Sequence, residues 1–192
     1  ILSTLDPTTG GYVYFTSLRP QSYRIYSTIN ESMWCCVGTG MENHSKYGHF
    51  IYTHDDTPTL YVNLFVPSRL VSDDYAVTQE TSYPFSDQTT ITVGKAGTYA
   101  IAIRHPAWTT ADYSISVNGS PCSDALATIT PGTASYATIS RTWAEGDVIT
   151  VNIPMSLRYT TCPGYDDYIA FQYGPILLAA QNSTSNDSAA QT

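Results

Sequence analysis

"TYAIAIRH", residues 98–105, decides the fold class of this chain. Tyr99, Ile101 and Ile103 alternate with small or polar residues, which is the two-residue period of a β-strand with one buried face. Pro106 follows directly and cannot donate a ladder hydrogen bond, so we expect the strand to end at His105. One strand needs partners, which the sequence on either side must supply.

Runs of the same kind occur on both sides of this stretch, and turn residues separate them. The turns are carried by Gly94 to Gly97, by Asn118-Gly119 and by Glu145-Gly146-Asp147. Several short strands at close spacing are typical of a β-sandwich, so we predict a mainly β fold with a jelly-roll-like sandwich over residues 56–181. The runs are "TLYVNLFV" (59–66), "TTITV" (89–93), "YSISVNG" (113–119), "YATISRTW" (136–143), "DVITVNIP" (147–154) and "YIAFQYGPILLAA" (168–180).

Helical character is expected in one place only. Thr39 and Glu42 have the spacing of a capping box, and Met41, His44 and Ile51 follow at helical spacing. The pattern predicts a helix from residue 40 to about residue 53. The polar end of the chain, "NSTSNDSAAQT" (182–192), is expected to be a linker or a disordered tail.

Charge and composition exclude several classes of function. Eight Lys and Arg residues stand against sixteen Asp and Glu residues, for a net charge of -8, which argues against nucleic acid and anionic membranes as partners. No stretch approaches the roughly 20 apolar residues of a membrane-spanning helix. The low charge and abundant Ser and Thr favour an exported protein, periplasmic or extracellular. Because the first residues read like the middle of a chain, we also expect a piece of a longer protein.

Two adjacent cysteines stand in "SMWCCVGTGMENHSKYG", residues 32–48. Cys35 and Cys36 lie just ahead of the predicted helix, where the helix dipole favours a thiolate. A thiolate is both a nucleophile and a zinc ligand, but a pair of small buried apolar residues would satisfy the same sequence. The other two cysteines, Cys122 and Cys162, could form a disulfide or remain as thiols.

Other polar and aromatic residues have both a functional and a structural interpretation. Glu42 and Asn43 could contact a sugar on the substrate side, although capping of the helix already explains Glu42. His44 and His49 are five residues apart, on different helix faces, so a shared metal site is not expected. The three tryptophans could stack on sugar rings or fill the sandwich core: Trp34, Trp108 and Trp143.

The cysteine segment and its surroundings resemble a known enzyme family. The segment is similar to the cysteine-dependent β-L-arabinofuranosidases of glycoside hydrolase families 127 and 146. The similarity lies in "FTSLRPQSYRIYS" and in the following "MWCCVGTGMENHSKYGHFIYT". Four stretches further along the chain resemble the β-domain of that family and occur in the same order. They are "LYVNLFVPSRL", "IRHPAW", "RTWAEGDVITVNIPM" and "FQYGPILLA". The resemblance extends over about residues 6–180.

The resemblance implies an (α/α)₆ catalytic barrel followed by β-sandwich domains. Residues 1–55 would then be the last segment of the barrel. Cys35 would be the catalytic nucleophile and a zinc ligand, Cys36 a second zinc ligand, and the substrate an arabinose-containing plant glycan cleaved with retention of configuration. The rest of the barrel would be a partner of this segment.

The chain also departs from that family. Its upstream Glu-x-Cys motif, which supplies two further zinc ligands, and its acid/base carboxylate are both missing from this sequence. We therefore expect a chain that is catalytically silent by itself and binds zinc weakly or not at all. Because the missing helices leave apolar faces uncovered, we also expect either disorder in residues 1–55 or self-association of the chain. A non-catalytic sandwich that binds carbohydrate or serves a structural role is the alternative, and a small metal or redox protein is a third hypothesis.

Overall fold

The computed structural model describes residues 5–13, 25–109, 112–127, 129–130 and 132–179, and for Cys36 only the backbone. These residues fall into two compact units: residues 5–13 and 25–48 belong to the first, and residues 49–179 to the second. The predicted tail, residues 182–192, lies outside the described residues. The predicted boundary at residues 55 and 56 stays a prediction.

The first unit is built on a helix that begins earlier than the sequence indicated. Helix α1 spans Cys35–Ile51, so the predicted start at residue 40 was wrong, whereas the predicted end near residue 53 lies within two residues of the observed one. The predicted capping box is also wrong, because Thr39 lies inside the helix and its hydroxyl donates to the Cys35 carbonyl at 3.2 Å. Gly38 and Gly40 both lie inside α1, although glycine disfavours a helix interior by about 1 kcal/mol.

Gly40 has a packing role that outweighs its low helix propensity. A Cβ atom built at this position would lie 2.8 Å from the ring of Tyr12, which is itself buried. Tyr12 comes from the segment before the helix, where isolated bridges pair Leu5 with Tyr12 and Val13 with Tyr26. The missing side chain at Gly40 therefore lets this segment lie directly on the helix.

The second unit contains two sheets that share one core. The four-stranded sheet has the order β1 (Tyr52–His54), β2 (Thr59–Val62), β6 (Gly97–His105), β9 (Ser135–Trp143). The six-stranded sheet has the order β3 (Ser68–Val71), β4 (Ala76–Thr81), β5 (Gln88–Val93), β10 (Val148–Asn152), β7 (Ser114–Val117), β8 (Ser120–Pro121), so β8 forms one of its edges.

The core between these sheets confirms a mainly β fold. Alternate residues of facing strands, such as Ile101 and Ile103 on β6 and Ile149 and Val151 on β10, are fully buried in one apolar cluster. Strand β2 pairs with β6 in parallel, whereas a jelly roll is an antiparallel architecture. The jelly-roll topology is therefore not confirmed, and neither is the assignment of the helix to an (α/α)₆ barrel.

The turn and strand-end predictions can be checked directly. Strand β6 ends at His105, as the following proline predicted. Asn118 and Gly119 both have positive φ, 51° and 79°, which is the conformation that a tight hairpin turn between β7 and β8 requires. A short second helix, α2 (Ser123–Leu126), was not expected from the sequence.

A third sheet follows the sandwich strands. It has the order β11 (Leu157–Cys162), β12 (Tyr165–Tyr173), β13 (Ile176–Leu177). The run predicted as one strand over residues 168–180 is therefore divided between β12 and β13, with a break after residue 173. On one face Tyr159 is paired with Phe171 and Leu157 with Tyr173, and these four side chains are between 45% and 65% exposed. This face is an apolar patch without cover from the described residues.

Across the described part of the chain, no helix has both the length and the apolar character of a membrane span.

Candidate functional site

Cys35 is the first residue of α1, and its side chain is exposed. The prediction that both cysteines precede the helix was wrong, because Cys36 is the second helical residue. The position still favours a thiolate, since the first-turn N–H groups lack intrahelical acceptors and the positive end of the dipole lies here. An exposed thiol at a helix start is suited to nucleophilic attack, and the hypothesis of a buried apolar residue does not fit Cys35.

Glu42 and Asn43 lie two turns further along the helix. Glu42 follows Cys35 by seven residues, so it occupies the same face about 10 Å along the axis. Its expected capping role is excluded by its position in mid-helix. Asn43 donates from Nδ2 to Tyr47 Oη at 2.6 Å, an i to i+4 contact that orients its amide along the helix.

His44 is engaged within the first unit. Its Nε2 lies 3.0 Å from Tyr12 Oη, and its ring meets Tyr47 edge to face with the centroids 5.7 Å apart. The Tyr12 contact could not be predicted from the sequence, because the two residues are 32 positions apart. His49 is exposed and belongs to the second unit.

Carboxylates near Cys35 are few. Residues 1–48 contain only Asp6, Glu31 and Glu42. Asp6 accepts hydrogen bonds from Thr9 and Thr8 in a turn, and these bonds lower the pKa of Asp6. Retaining hydrolysis needs the acid/base group about 5 Å from the nucleophile, which the 10 Å rise between Cys35 and Glu42 does not meet.

Zinc can be tested against the donors that are present. Two thiolates are suitable donors, but a tetrahedral zinc site takes four ligands, or three with an open position. Among the described residues no group of three or more His, Cys, Asp or Glu side chains is placed to hold a metal ion. The residues present therefore supply only part of a zinc site. The other two cysteines, Cys122 and Cys162, are half-buried thiols and are not joined in a disulfide.

The second unit carries a separate cleft lined by aromatic and polar residues. The rings of Tyr83 and Trp108 are stacked, with centroids 6.5 Å apart and planes inclined by 20°. Phe65 meets Tyr83 edge to face at 5.5 Å, and Asn63 and Arg104 complete the lining of a volume of about 230 Å³.

The three tryptophans divide between the two interpretations left open by the sequence. Trp143 is a core residue, 1% exposed, and its Nε1 donates to the Tyr99 carbonyl at 3.0 Å. Trp108 is half-buried at the cleft, and Trp34 is exposed beside Cys35. The core assignment is therefore confirmed for Trp143, and Trp108 packs against the same apolar cluster as a half-buried residue.

Comparison with protein-family models gives two matches. Residues 59–155, just over half of the chain, match the middle domain of the GH127 β-L-arabinofuranosidases, and residues 1–49 match the catalytic domain of that family. The structure of a GH127 β-L-arabinofuranosidase from Geobacillus stearothermophilus T6 is similar, with a TM-score of 0.74 and 25% identity over 92% of this chain and 30% of that one.

Two further solved structures resemble this chain at lower identity, where the likeness shows the fold alone. One, described as a glycoside hydrolase, has a TM-score of 0.73 and 23% identity over 92% of this chain and 31% of its own. The other, a GH127 β-arabinofuranosidase, has a TM-score of 0.61 and 22% identity over 76% and 26%. The chain spans less than a third of the length of each of these relatives. A comparison with curated protein sequences gives no match.

Proposed function

Because the chain belongs to the GH127 β-L-arabinofuranosidase family, we propose that it is the part of a retaining glycoside hydrolase that supplies the nucleophile, Cys35. The observation that carries the proposal is the exposed Cys35 at the first position of α1, within the segment that matches the family's catalytic domain. The substrate class we propose is a β-L-arabinofuranoside of an arabinose-containing plant glycan.

The proposed reaction is a double displacement at the anomeric carbon. The Cys35 thiolate attacks that carbon, a C–S bond forms, and the C–O bond to the leaving group breaks while its oxygen takes a proton from a general acid. Water then attacks the same carbon and gives its proton to the carboxylate left by the general acid, while the C–S bond breaks and the thiolate is restored. Two inversions give net retention of configuration.

We propose that the general acid is none of the three carboxylates in the first 48 residues, Asp6, Glu31 and Glu42. Asp6 is held in a turn, and Glu42 lies too far along the helix axis to serve the same anomeric centre. We therefore propose that the 192-residue chain is silent alone and that the remainder of the catalytic barrel supplies the acid. Glu42 and Asn43 would contact sugar units further along the glycan.

Zinc is proposed as the cofactor of the complete enzyme. Cys35 and Cys36 would supply two of its ligands, and when bound the ion would keep the thiolate deprotonated. In the isolated chain we expect weak binding, since half the donor set is absent. No step above depends on the metal.

Two further properties of the chain are part of the proposal. The apolar face of β11 and β12, together with Met41 of α1, which is 60% exposed, would drive self-association when the rest of the enzyme is absent. Export to the periplasm or the extracellular space would bring the enzyme to its polysaccharide.

The function is tested with an aryl β-L-arabinofuranoside and the longest natural form of the protein. Cys35→Ser should lower kcat by at least about 10³-fold, because a hydroxyl at this position lacks an activating base, whereas Cys162→Ser on β11 should leave the rate unchanged. The 192-residue chain alone should show no turnover. Hydrolysis that survives in Cys35→Ser, or turnover by the short chain, would refute the respective part of the proposal.

A further inference from the structure

The cleft around Tyr83 and Trp108 is held rigidly by the sandwich. Trp108 lies in a turn closed by a hydrogen bond from Thr109 N to the Pro106 carbonyl at 3.2 Å. The buried Thr109 also donates from Oγ1 to the Pro154 carbonyl at 3.1 Å, which ties this turn to the end of β10. The backbone that carries Trp108 is therefore fixed, and the indole is stacked on Tyr83, so little entropy would be lost on binding.

Polar groups on the other wall are arranged by the neighbouring strands. Asn63 donates from Nδ2 to Thr53 Oγ1 at 2.9 Å and accepts from Tyr136 Oη at Oδ1 at 2.6 Å, so its amide is fixed. Arg104 is paired across β6 and β9 with Tyr136 and is exposed. Within the described part of the chain, the Arg104 guanidinium has neither an ion-pair partner nor a hydrogen-bond partner, although the chain carries a net charge of -8.

We propose that this cleft is a glycan-binding subsite separate from Cys35, and that it takes a uronic acid residue. The stacked rings of Tyr83 and Trp108 offer an apolar surface to the C–H face of a sugar. The Arg104 guanidinium offers a bidentate partner for the sugar's carboxylate. The volume of about 230 Å³ lies below that of drug-sized pockets and suits a single sugar ring.

The protonation state of Tyr83 agrees with this assignment. Burial raises the pKa of Tyr83 to about 12, although the charge of Arg104 acts in the opposite direction. The phenol is therefore neutral at physiological pH and can donate to a sugar oxygen, and Arg104 is left to pair with an anion from the ligand.

The choice of a glycan rests on the proposed function, whereas the choice of a carboxylate rests on Arg104. A neutral sugar would use the aromatic surface but leave the guanidinium unpaired. In an acidic protein a solitary cation beside an aromatic pair selects for a negatively charged ligand. The subsite would hold an acidic branch or backbone residue of the polysaccharide.

The test measures binding by calorimetry on the 192-residue chain at low salt, with digalacturonate and its neutral counterpart, galactobiose. Digalacturonate should bind, and galactobiose should bind at least about tenfold more weakly, which is about 1.4 kcal/mol. Arg104→Gln should weaken digalacturonate binding by a similar factor. Arg69→Gln, the same charge change at an exposed position of β3, should have no effect.

Stacking is tested with Trp108→Leu, which retains an apolar side chain at the half-buried position and should weaken the binding of both sugars. Near-ultraviolet circular dichroism checks that each variant is folded. No binding of digalacturonate, equal affinity for the two sugars, or an Arg104→Gln variant that binds normally would overturn the proposal. Because the readout is binding and Cys35 is not involved, this result is independent of whether the chain or its longer form hydrolyses an arabinofuranoside.

Discussion

Tyr12 Oη lies 3.0 Å from His44 Nε2, and the Tyr12 ring packs against the helix at Gly40, where no side chain intervenes. One aromatic residue thus joins the segment before the helix to the middle of the helix that begins at Cys35. This contact therefore helps to hold the helix that carries the proposed nucleophile.

Gly40→Ala should destabilise the first unit. Alanine is the better helix former by about 1 kcal/mol, but its Cβ would lie 2.8 Å from the buried Tyr12 ring, and such overpacking costs about 1–3 kcal/mol. Hydrogen exchange of the α1 amides should therefore become faster in this variant.

Gly48→Ala is the matched control for that substitution. Nothing lies within 4 Å of a Cβ at this position of the same helix, so the helix should gain up to about 1 kcal/mol and its amides should exchange more slowly. Equal effects of the two substitutions would contradict the Tyr12 packing described above.

Cys35 should be the first thiol to be alkylated. It is exposed at a helix start, whereas Cys122 and Cys162 are half-buried in the sandwich unit and on β11. Peptide mass spectrometry after a short exposure to iodoacetamide should find the label on Cys35, and Cys35→Ser should remove this fast phase. Prior labelling of Cys122 or Cys162 would show that the helix start does not activate the thiol.

The loss of stability caused by a valine-to-alanine substitution should depend on burial, and Val93→Ala and Val71→Ala test this at a buried and an exposed position. Val93 is fully buried between the sheets and Val71 is 68% exposed on β3. Val93→Ala should lower the free energy of unfolding by about 2 kcal/mol, and Val71→Ala by less than about 0.5 kcal/mol. Urea denaturation measures both, and similar losses would show that the sheets do not share the core described here.

Asp147 should make the sandwich sensitive to acid. Its carboxylate accepts from Ala144 N at 2.9 Å and from Asn118 Nδ2 at 2.8 Å, and these bonds lower the pKa of Asp147. Since the folded-state pKa lies below the unfolded value near 3.9, the stabilisation is complete above about pH 5 and is lost as the pH falls through the folded-state pKa.

Asp147→Asn should therefore reduce the loss of stability between pH 5 and pH 3, measured as the change in urea midpoint, and should lower the midpoint at pH 6. Asp166→Asn removes the same charge from an exposed position of β12 and is the control. If both variants show the same pH profile, the hydrogen bonds of Asp147 do not contribute to acid stability.

The sequence predicted what depends on neighbouring residues. The alternation in residues 98–105 and the Asn118-Gly119 turn were correct because a two-residue period and a positive-φ pair are set locally. The helix start was wrong because Gly40 owes its place in the helix to Tyr12, a contact between segments distant in sequence. The Tyr83 and Trp108 cleft was missed for the same reason, since its lining comes from separate strands and loops.

Strand β8 at the edge of the six-stranded sheet has a consequence for how the protein behaves when concentrated or heated. It is two residues long and one of them is Pro121, so this edge offers almost no N–H groups to a strand from another molecule. Within this sheet, strand addition from another molecule would have to begin at the opposite edge, on β3, and β9 is the long edge strand of the four-stranded sheet. The β8 edge is thus protected against amyloid-like propagation, and substitutions that reduce aggregation belong on the other edge strands, among them Ser68–Val71.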